Sequence, residues 1–247
     1  DVAQAAQVEA LAAATFARFG APHLLFNNAG VASGGLIWEN SAADWAWVLG
    51  VNLMGVAHGV RVFTPMMLAA AKMDGAYRGH IVNTASMAGL LNAPNMGVYN
   101  ASKHAVVSLS ETLYQDLALV TDQVSASVLC PYFVPTGISQ SQRNRPQTAS
   151  AAPPTASQLI SQAMSDKAVS SGKVTAQAVA QQVFAAVTAG QFYIYSHPNL
   201  LGAVQTRLED VMQCRNPSDP FAHKPALGQS LKAALRAGMN CPSASSR

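Results

Sequence analysis

The sequence His23-Leu24-Leu25-Phe26-Asn27-Asn28-Ala29-Gly30 is a short apolar run that ends in a turn. Its apolar residues do not alternate with polar ones, which is typical of a strand buried on both faces of a parallel sheet. An amphipathic helix is predicted before it, over residues 2–19, and helical periodicity returns after it, over residues 41–71, with Ser41 as the N-cap. A strand between two helices indicates an α/β fold.

The alternation of strand and helix continues through most of the chain. Further strands are predicted over residues 80–84, 125–130 and 192–195, and further helices over residues 95–120, 175–189 and 200–214. We therefore predict a Rossmann-type, doubly wound parallel sheet over residues 1–198, followed by a C-terminal helical extension over residues 199–247. Residues 137–174 are rich in Ser, Gln, Ala and Pro, which predicts a loop at the substrate site.

The composition excludes several classes of protein. The chain has 247 residues, of which 50% are hydrophobic and 11% charged, with a net charge of +3 and no basic run. We therefore expect neither a nucleic acid nor a membrane as a partner. No uninterrupted apolar run approaches the roughly 18 residues that span a bilayer, and we expect a cytoplasmic protein.

Metal and disulfide chemistry have no support in the sequence. The three cysteines are far apart and form no CxxC pair, and the six histidines form no HExxH or similar spacing. We therefore predict no metal site and no disulfide framework.

Tyr99-Asn100-Ala101-Ser102-Lys103 carries the strongest chemical signal, with Ser86 thirteen residues before Tyr99. Residues four apart share one face of a helix, so the Lys103 ammonium can lie near the Tyr99 phenol and favour its ionised form. Ser86 follows a predicted strand, where ligands bind in sheets of this kind. The pattern therefore predicts proton transfer at Tyr99, with Ser86 holding the substrate oxygen.

These residues, in this order, resemble the short-chain dehydrogenase/reductase family, and the resemblance runs from Asp1 to about Pro198. Asn28, Ala29 and Gly30 resemble part of the NNAG turn that contacts the cofactor. Asn52, in Val51-Asn52-Leu53, resembles the asparagine of the catalytic tetrad, and Ser86, Tyr99 and Lys103 match the other three members.

The resemblance implies a role for each residue. Tyr99 is expected to be the general acid and base and to contact both the cofactor and the substrate. Lys103 is expected to tune Tyr99 and bind the nicotinamide ribose. Ser86 is expected to position the carbonyl or alcohol, and Asn52 to hold a water that links Lys103 to solvent. The implied activity is interconversion of an alcohol and a carbonyl with NAD or NADP, whose hydride transfer belongs to the cofactor.

Two further segments resemble cofactor-contacting parts of the family. In Pro131-Tyr132-Phe133-Val134-Pro135-Thr136, the resemblance implies that Pro131, the Val134 backbone and the Thr136 hydroxyl hold the nicotinamide. Family members usually have glycine where this chain has Tyr132, which affects the expected backbone and substrate pocket. At the start of the chain, Asp1 resembles an aspartate that contacts adenine.

The glycine-rich TGxxxGxG phosphate loop of the family has no match in this sequence. On the family pattern, about 60 residues with the first strands would precede Asp1. The strand at residues 23–27 is therefore expected to have a bare edge. We accordingly hold two alternatives to an active oxidoreductase: an inactive fragment, and a non-catalytic nucleotide sensor or interaction protein on the same fold.

The substrate and the assembly remain open at this level. A small-molecule alcohol or carbonyl is expected, while epimerisation or dehydration of a nucleotide-sugar is a rival that also uses a Tyr/Lys pair. The helices that begin near Ser41 and Asn95 resemble those that pair subunits in the family. The resemblance therefore implies a homodimer or homotetramer.

Overall fold

Four parallel strands form a single sheet in the computed structural model, which describes residues 1–146 and 153–240. The strands are β1 (Leu24–Asn27), β2 (Gly79–Thr84), β3 (Val124–Cys130) and β4 (Tyr193–Tyr195), and they lie in the order β1-β2-β3-β4. Each neighbouring pair is parallel. All four predicted strands are present, and each differs from the prediction only in its first residue.

The helices also follow the predicted order. They are α1 (Ala5–Phe19), α2 (Ala42–Leu49), α3 (Gly55–Met73), α4 (Gly97–Val120), α5 (Ala156–Ser170), α6 (Ala176–Thr188), α7 (Leu201–Met212) and α8 (Pro225–Asn240). The helix predicted over residues 41–71 contains a π-helical turn, Gly50–Met54, between α2 and α3. Its start is confirmed, because Ser41 and Asp44 form a reciprocal capping box.

Helices cover both faces of the sheet, which confirms the doubly wound arrangement. On one face, α3 and α4 pack on Ile81 and Ala126 through residues such as Met67 and Leu113. On the opposite face, α6 packs on β2, β3 and β4. The residues in this second layer are Val82, Leu129, Ile194, Val179, Val183 and Ala186.

The outer side of β1 is bare, as the sequence predicts. Within residues 1–146 and 153–240, β1 pairs only with β2. Leu24 and Phe26 are 42% and 43% exposed, and the Phe26 ring meets Phe184 of α6 edge-on with 5.9 Å between ring centres.

The helical region that contains α2 and α3 is strongly apolar. The continuous helix Ala42–Met73 meets the length and composition of a membrane span, although no uninterrupted apolar run does. Core helices of globular folds meet the same test, and here Val56, Phe63 and Met67 are almost fully buried within the fold. Packing in the core accounts for part of this apolarity, since 39% of the most apolar window of the helix is buried.

The expected substrate loop and C-terminal extension are largely helical where the structure describes them. Residues 137–174 contain the 3₁₀ segment Gly137–Asn144 and α5, while residues 147–152 and 241–247 lie outside the described part. The N-terminal end of α5 lies against α8, where a Cβ added at Gly238 would be 2.7 Å from the Ala156 Cβ. The extension therefore packs directly on the substrate loop.

Candidate active site

The site begins at the carboxyl ends of β2 and β3. Ser86 follows the last residue of β2 by two positions, and its hydroxyl donates to the Pro131 carbonyl at 3.3 Å. The same hydroxyl accepts from the Ala88 N–H at 3.1 Å. The Ser86 oxygen is thus held between two adjacent strand ends, which is where ligands meet sheets of this kind.

Tyr99 and Lys103 reach the same place from α4. The helix begins at Gly97, so the two side chains lie one turn apart on one face. The Lys103 Nζ lies 5.8 Å from the centre of the Tyr99 ring and donates to the Thr84 carbonyl at 2.8 Å. Ser86, Tyr99 and Lys103 all line one cavity, so the structure brings together three residues that the sequence singles out.

Burial controls the proton equilibria of this group. It raises the pKa of Tyr99 above its ordinary value, and the Ser86 hydroxyl lowers it only in part. Burial also lowers the pKa of Lys103 to about 8. Burial is therefore the largest influence on the pKa of Tyr99 in the structure, and the predicted effect of Lys103 on its ionisation stays a prediction.

Asn52 lies behind the site, fully buried in the π-helical turn. Its Oδ1 accepts from the Val31 N–H at 2.8 Å, and its Nδ2 donates to the Val31 carbonyl at 2.9 Å and to the Ser102 hydroxyl at 3.0 Å. The side chain does not line the cavity. Asn52 therefore ties the loop after β1 to α4, next to Lys103, and π-helical turns are often found at functional sites.

The turn Asn28-Ala29-Gly30 lines the same cavity after the end of β1. Thr84 donates to the Asn28 Oδ1 at 3.0 Å, which joins the ends of β1 and β2. A second tie lies below it, where Asn27 donates to Asn83 at 2.8 Å. The bond between Thr84 and Asn28 joins two residues that line the cavity, while the bond between Asn27 and Asn83 does not involve its lining.

The segment after β3 forms one side of the cavity. Pro131, Val134 and Thr136 line it, as the resemblance implies. Tyr132, which stands where the family usually has glycine, donates its N–H to the Ser196 hydroxyl at 3.0 Å. Among the non-glycine residues that the structure describes, only Asn95 and Cys214 have positive φ, so tyrosine fits here without backbone strain.

Asp1 is the one predicted cofactor residue that lies away from this group. Its side chain accepts from the Ala3 N–H at 3.0 Å, and it is exposed and does not line the cavity. Its predicted contact with adenine stays a prediction.

The cavity is larger than the tetrad alone indicates, at about 1690 Å³. Sequence reasoning left open whether the C-terminal segment covers it, and the structure shows that it does. One wall consists of α7 and the segment that follows it, including Leu200, Ala203, Arg207, Val211, Phe221 and Leu227. The residues of α7 that line the cavity recur three and four positions apart, so the sequence could have identified them as one face of a helix. An amphipathic helix face does not by itself show what that face packs against.

Comparison with known proteins agrees with this geometry. The sequence model of the family described as "short chain dehydrogenase" matches residues 1–147. The chain is 31% identical over 218 residues to the CLA biosynthesis dehydrogenase/reductase of Lactiplantibacillus plantarum. That match covers 86% of this chain and 73% of the relative.

Two solved structures extend the likeness to the fold. A short-chain dehydrogenase/reductase from Burkholderia phymatum, in complex with NAD, is 55% identical, with a TM-score of 0.86 over 90% of this chain and 78% of that one. A gluconate 5-dehydrogenase from Burkholderia cenocepacia, in complex with NADP and tartrate, is 31% identical, with a TM-score of 0.51 over 57% of this chain and 52% of that one. The chain belongs to the short-chain dehydrogenase/reductase family of oxidoreductases.

Proposed function

We propose that the protein interconverts an alcohol and a carbonyl compound with NAD or NADP, using Tyr99 for proton transfer. The observation that carries this proposal is the meeting of Ser86, Tyr99 and Lys103 at the carboxyl end of β2, with the Lys103 Nζ anchored on the Thr84 carbonyl. The reaction class follows from these groups, because none of them is a strong nucleophile while Tyr99 is placed to exchange a proton.

The donors around the cavity fit the nicotinamide half of the cofactor. Lys103 spends one N–H on Thr84, which leaves others for ribose hydroxyls. The Thr136 hydroxyl and the backbone at Val134 lie at the cavity wall, within a segment that would hold the carboxamide. When bound, the cofactor supplies or accepts the hydride. Asn28, Ala29 and Gly30 would hold the adjoining part, and Asp1 the adenine.

The tyrosine is the proton-transfer group in this proposal. Burial keeps its phenol protonated at neutral pH, so Tyr99 is ready to donate to the oxygen of a carbonyl substrate. Ser86 would donate a second hydrogen bond to that oxygen and fix its position.

Lys103 and Asn52 support the tyrosine. With a pKa of about 8, Lys103 is mostly cationic at neutral pH and can stabilise a phenolate as the proton leaves. Asn52 would hold a water that carries the proton onward, beside the Ser102 hydroxyl that it already contacts.

The surroundings of the site suggest the class of substrate and the context of the protein. Met87, Leu91, Met96 and Phe133 line the cavity, so an apolar small molecule fits it. We further propose a cytoplasmic homodimer or homotetramer, with neither nucleic acid nor membrane as a partner.

Tyr99→Phe tests the reaction directly. A panel of secondary alcohols and ketones is assayed through NADH and NADPH absorbance, and kcat is expected to fall by about 10² to 10⁴. Tyr114→Phe is the matched control, since Tyr114 lies on the same helix but does not line the large cavity. Cofactor affinity, measured by fluorescence titration, is expected to fall only by the loss of one hydrogen bond in Tyr99→Phe and to remain unchanged in Tyr114→Phe.

Three outcomes would contradict the proposal. Undiminished turnover in Tyr99→Phe would remove the tyrosine from the mechanism. Cofactor binding without turnover of any alcohol or carbonyl would favour the non-catalytic sensor instead. Turnover of a nucleotide-sugar without net oxidation would favour the epimerase alternative.

A further inference from the structure

The wall formed by α7 lies on the substrate side of the cavity. Leu200 and Val204 pack against the cluster that contains Met87, which directly follows Ser86. From there a stripe of residues spaced three and four apart faces the cavity. Its members on and next to α7 are Leu200, Ala203, Thr206, Arg207, Asp210 and Val211.

The acidic side chains on this wall already have partners within the protein. Asp210 accepts from the Ser218 N–H at 2.9 Å and pairs with the Arg215 guanidinium at 3.0 Å, and these contacts hold its pKa below the usual range. Asp219 accepts from the Phe221 N–H at 2.8 Å. Both carboxylates that line the cavity are therefore already engaged by groups of the C-terminal segment.

Arg207 differs from them. It is half-buried, and within residues 1–146 and 153–240 its side chain makes no hydrogen bond and no ion pair. Of the other cations that line the cavity, Arg215 pairs with Asp210, Arg143 donates to the Gly137 and Gln140 carbonyls, and Lys224 is exposed. A guanidinium that is partly desolvated and unpaired is costly, and its fork of donors matches a carboxylate.

We propose that Arg207 binds the carboxylate of an otherwise apolar hydroxy or oxo substrate. Arg207 lies seven residues beyond Leu200, or about 10 Å along the helix at 1.5 Å per residue. This position supports a substrate whose carboxylate is well separated from its reacting hydroxyl or carbonyl group. The apolar body would then lie along apolar residues of the same cavity, such as Leu91, Met96 and Phe221. The inference rests on the proposed function for the reacting end only.

Binding of decanoate, compared with methyl decanoate, tests the charge site without any catalysis. By isothermal titration, the wild-type protein is expected to bind the acid about tenfold more tightly, which corresponds to about 1.4 kcal/mol. Arg207→Gln is expected to bind acid and ester equally, while Arg207→Lys keeps part of the preference. Arg236→Gln is the matched control, because it removes an exposed arginine of α8 that does not line the cavity.

Equal binding of acid and ester by the wild type, or an unchanged preference in Arg207→Gln, would overturn the inference. Oxidation of 9-hydroxydecanoate and of its methyl ester with NAD and NADP then separates the two proposals. A loss of acid preference through KM, with kcat retained, is expected in Arg207→Gln. If the acid preference appears in binding but neither compound is oxidised, the carboxylate site stands and the oxidoreductase proposal fails for this substrate class. If acid and ester are oxidised equally well, and Arg207→Gln changes neither rate, the oxidoreductase proposal stands and the carboxylate site fails.

Discussion

Replacing Lys103 by methionine is expected to stabilise the fold while removing activity. Burial lowers the pKa of Lys103 from 10.5 to about 8. At pH 7 the folded protein therefore carries a buried, charged Lys103 ammonium, which is less favourable than the same group exposed to water in the unfolded chain. The shift corresponds to about 3 kcal/mol of lost stability. Methionine avoids this cost but leaves the Thr84 carbonyl without its 2.8 Å hydrogen bond, which costs about 1 to 2 kcal/mol. The variant is thus expected to be more stable by about 1 to 2 kcal/mol at pH 7.

The pH dependence gives the sharper test of the Lys103 prediction. Between a pKa of about 8 in the folded state and 10.5 in the unfolded state, the unfolded chain binds more protons, so wild-type stability rises with pH. Relative to Lys103→Met, the wild type is expected to regain about 2 kcal/mol between pH 7 and pH 9.5. Urea unfolding at both pH values measures this, with Lys72→Met, an exposed lysine of α3, as the control. A variant that is less stable than the wild type by the same amount at both pH values would refute the reasoning.

Two further substitutions test the close packing of Gly89 on α4 and the ionised Asp44 at the start of α2. Gly89→Ala is expected to destabilise the protein by about 1 to 3 kcal/mol in urea unfolding and to lower kcat, because its new Cβ would lie 2.6 Å from the Lys103 carbonyl of α4. Gly75→Ala, which meets nothing within 4 Å, is the control. For Asp44, burial raises the pKa, but hydrogen bonds from Ser41 and the Arg145 guanidinium together hold it below 3.8. Asp44→Asn is expected to cost about 1 to 2 kcal/mol at pH 7, and the difference from the wild type should vanish as the pH falls through that lowered pKa. A difference that persists in acid would count against the ionised cap.

Local patterns were sufficient for most of the fold. Each strand is a short apolar run that ends in a turn, and burial on both faces of a parallel sheet produces that pattern directly. The N-cap at Ser41 was also predictable from a local pattern, because its capping box joins Ser41 to Asp44, only three residues later. The π-helical turn was not predicted, because Gly50 to Met54 continue the helical periodicity and nothing local marks the change in hydrogen bonding.

The candidate site was predictable where one short segment carries two of its residues. Tyr99 and Lys103 lie one turn apart on α4, so their proximity follows from the helix alone. Their pKa values were not predictable in this way, because they depend on how many other elements exclude water from the site. The wall formed by α7 was missed for a related reason. Its contact with Met87 joins residues more than a hundred positions apart, and no local pattern encodes such a contact.

Main-chain atoms position each supporting member of the site. Ser86 donates to the Pro131 carbonyl, Lys103 to the Thr84 carbonyl, and Asn52 bonds both the N–H and the carbonyl of Val31. A main-chain atom keeps its place when the side chain on the same residue or its neighbour changes, provided that the backbone conformation is retained. That independence explains how Tyr132 can stand where the family usually has glycine while the Pro131 carbonyl still orients Ser86. The side chain of Tyr132 is then free to shape the pocket, where it lies against Phe133 with 4.4 Å between ring centres. Changes at this position are therefore expected to alter which substrate is accepted rather than whether the site forms.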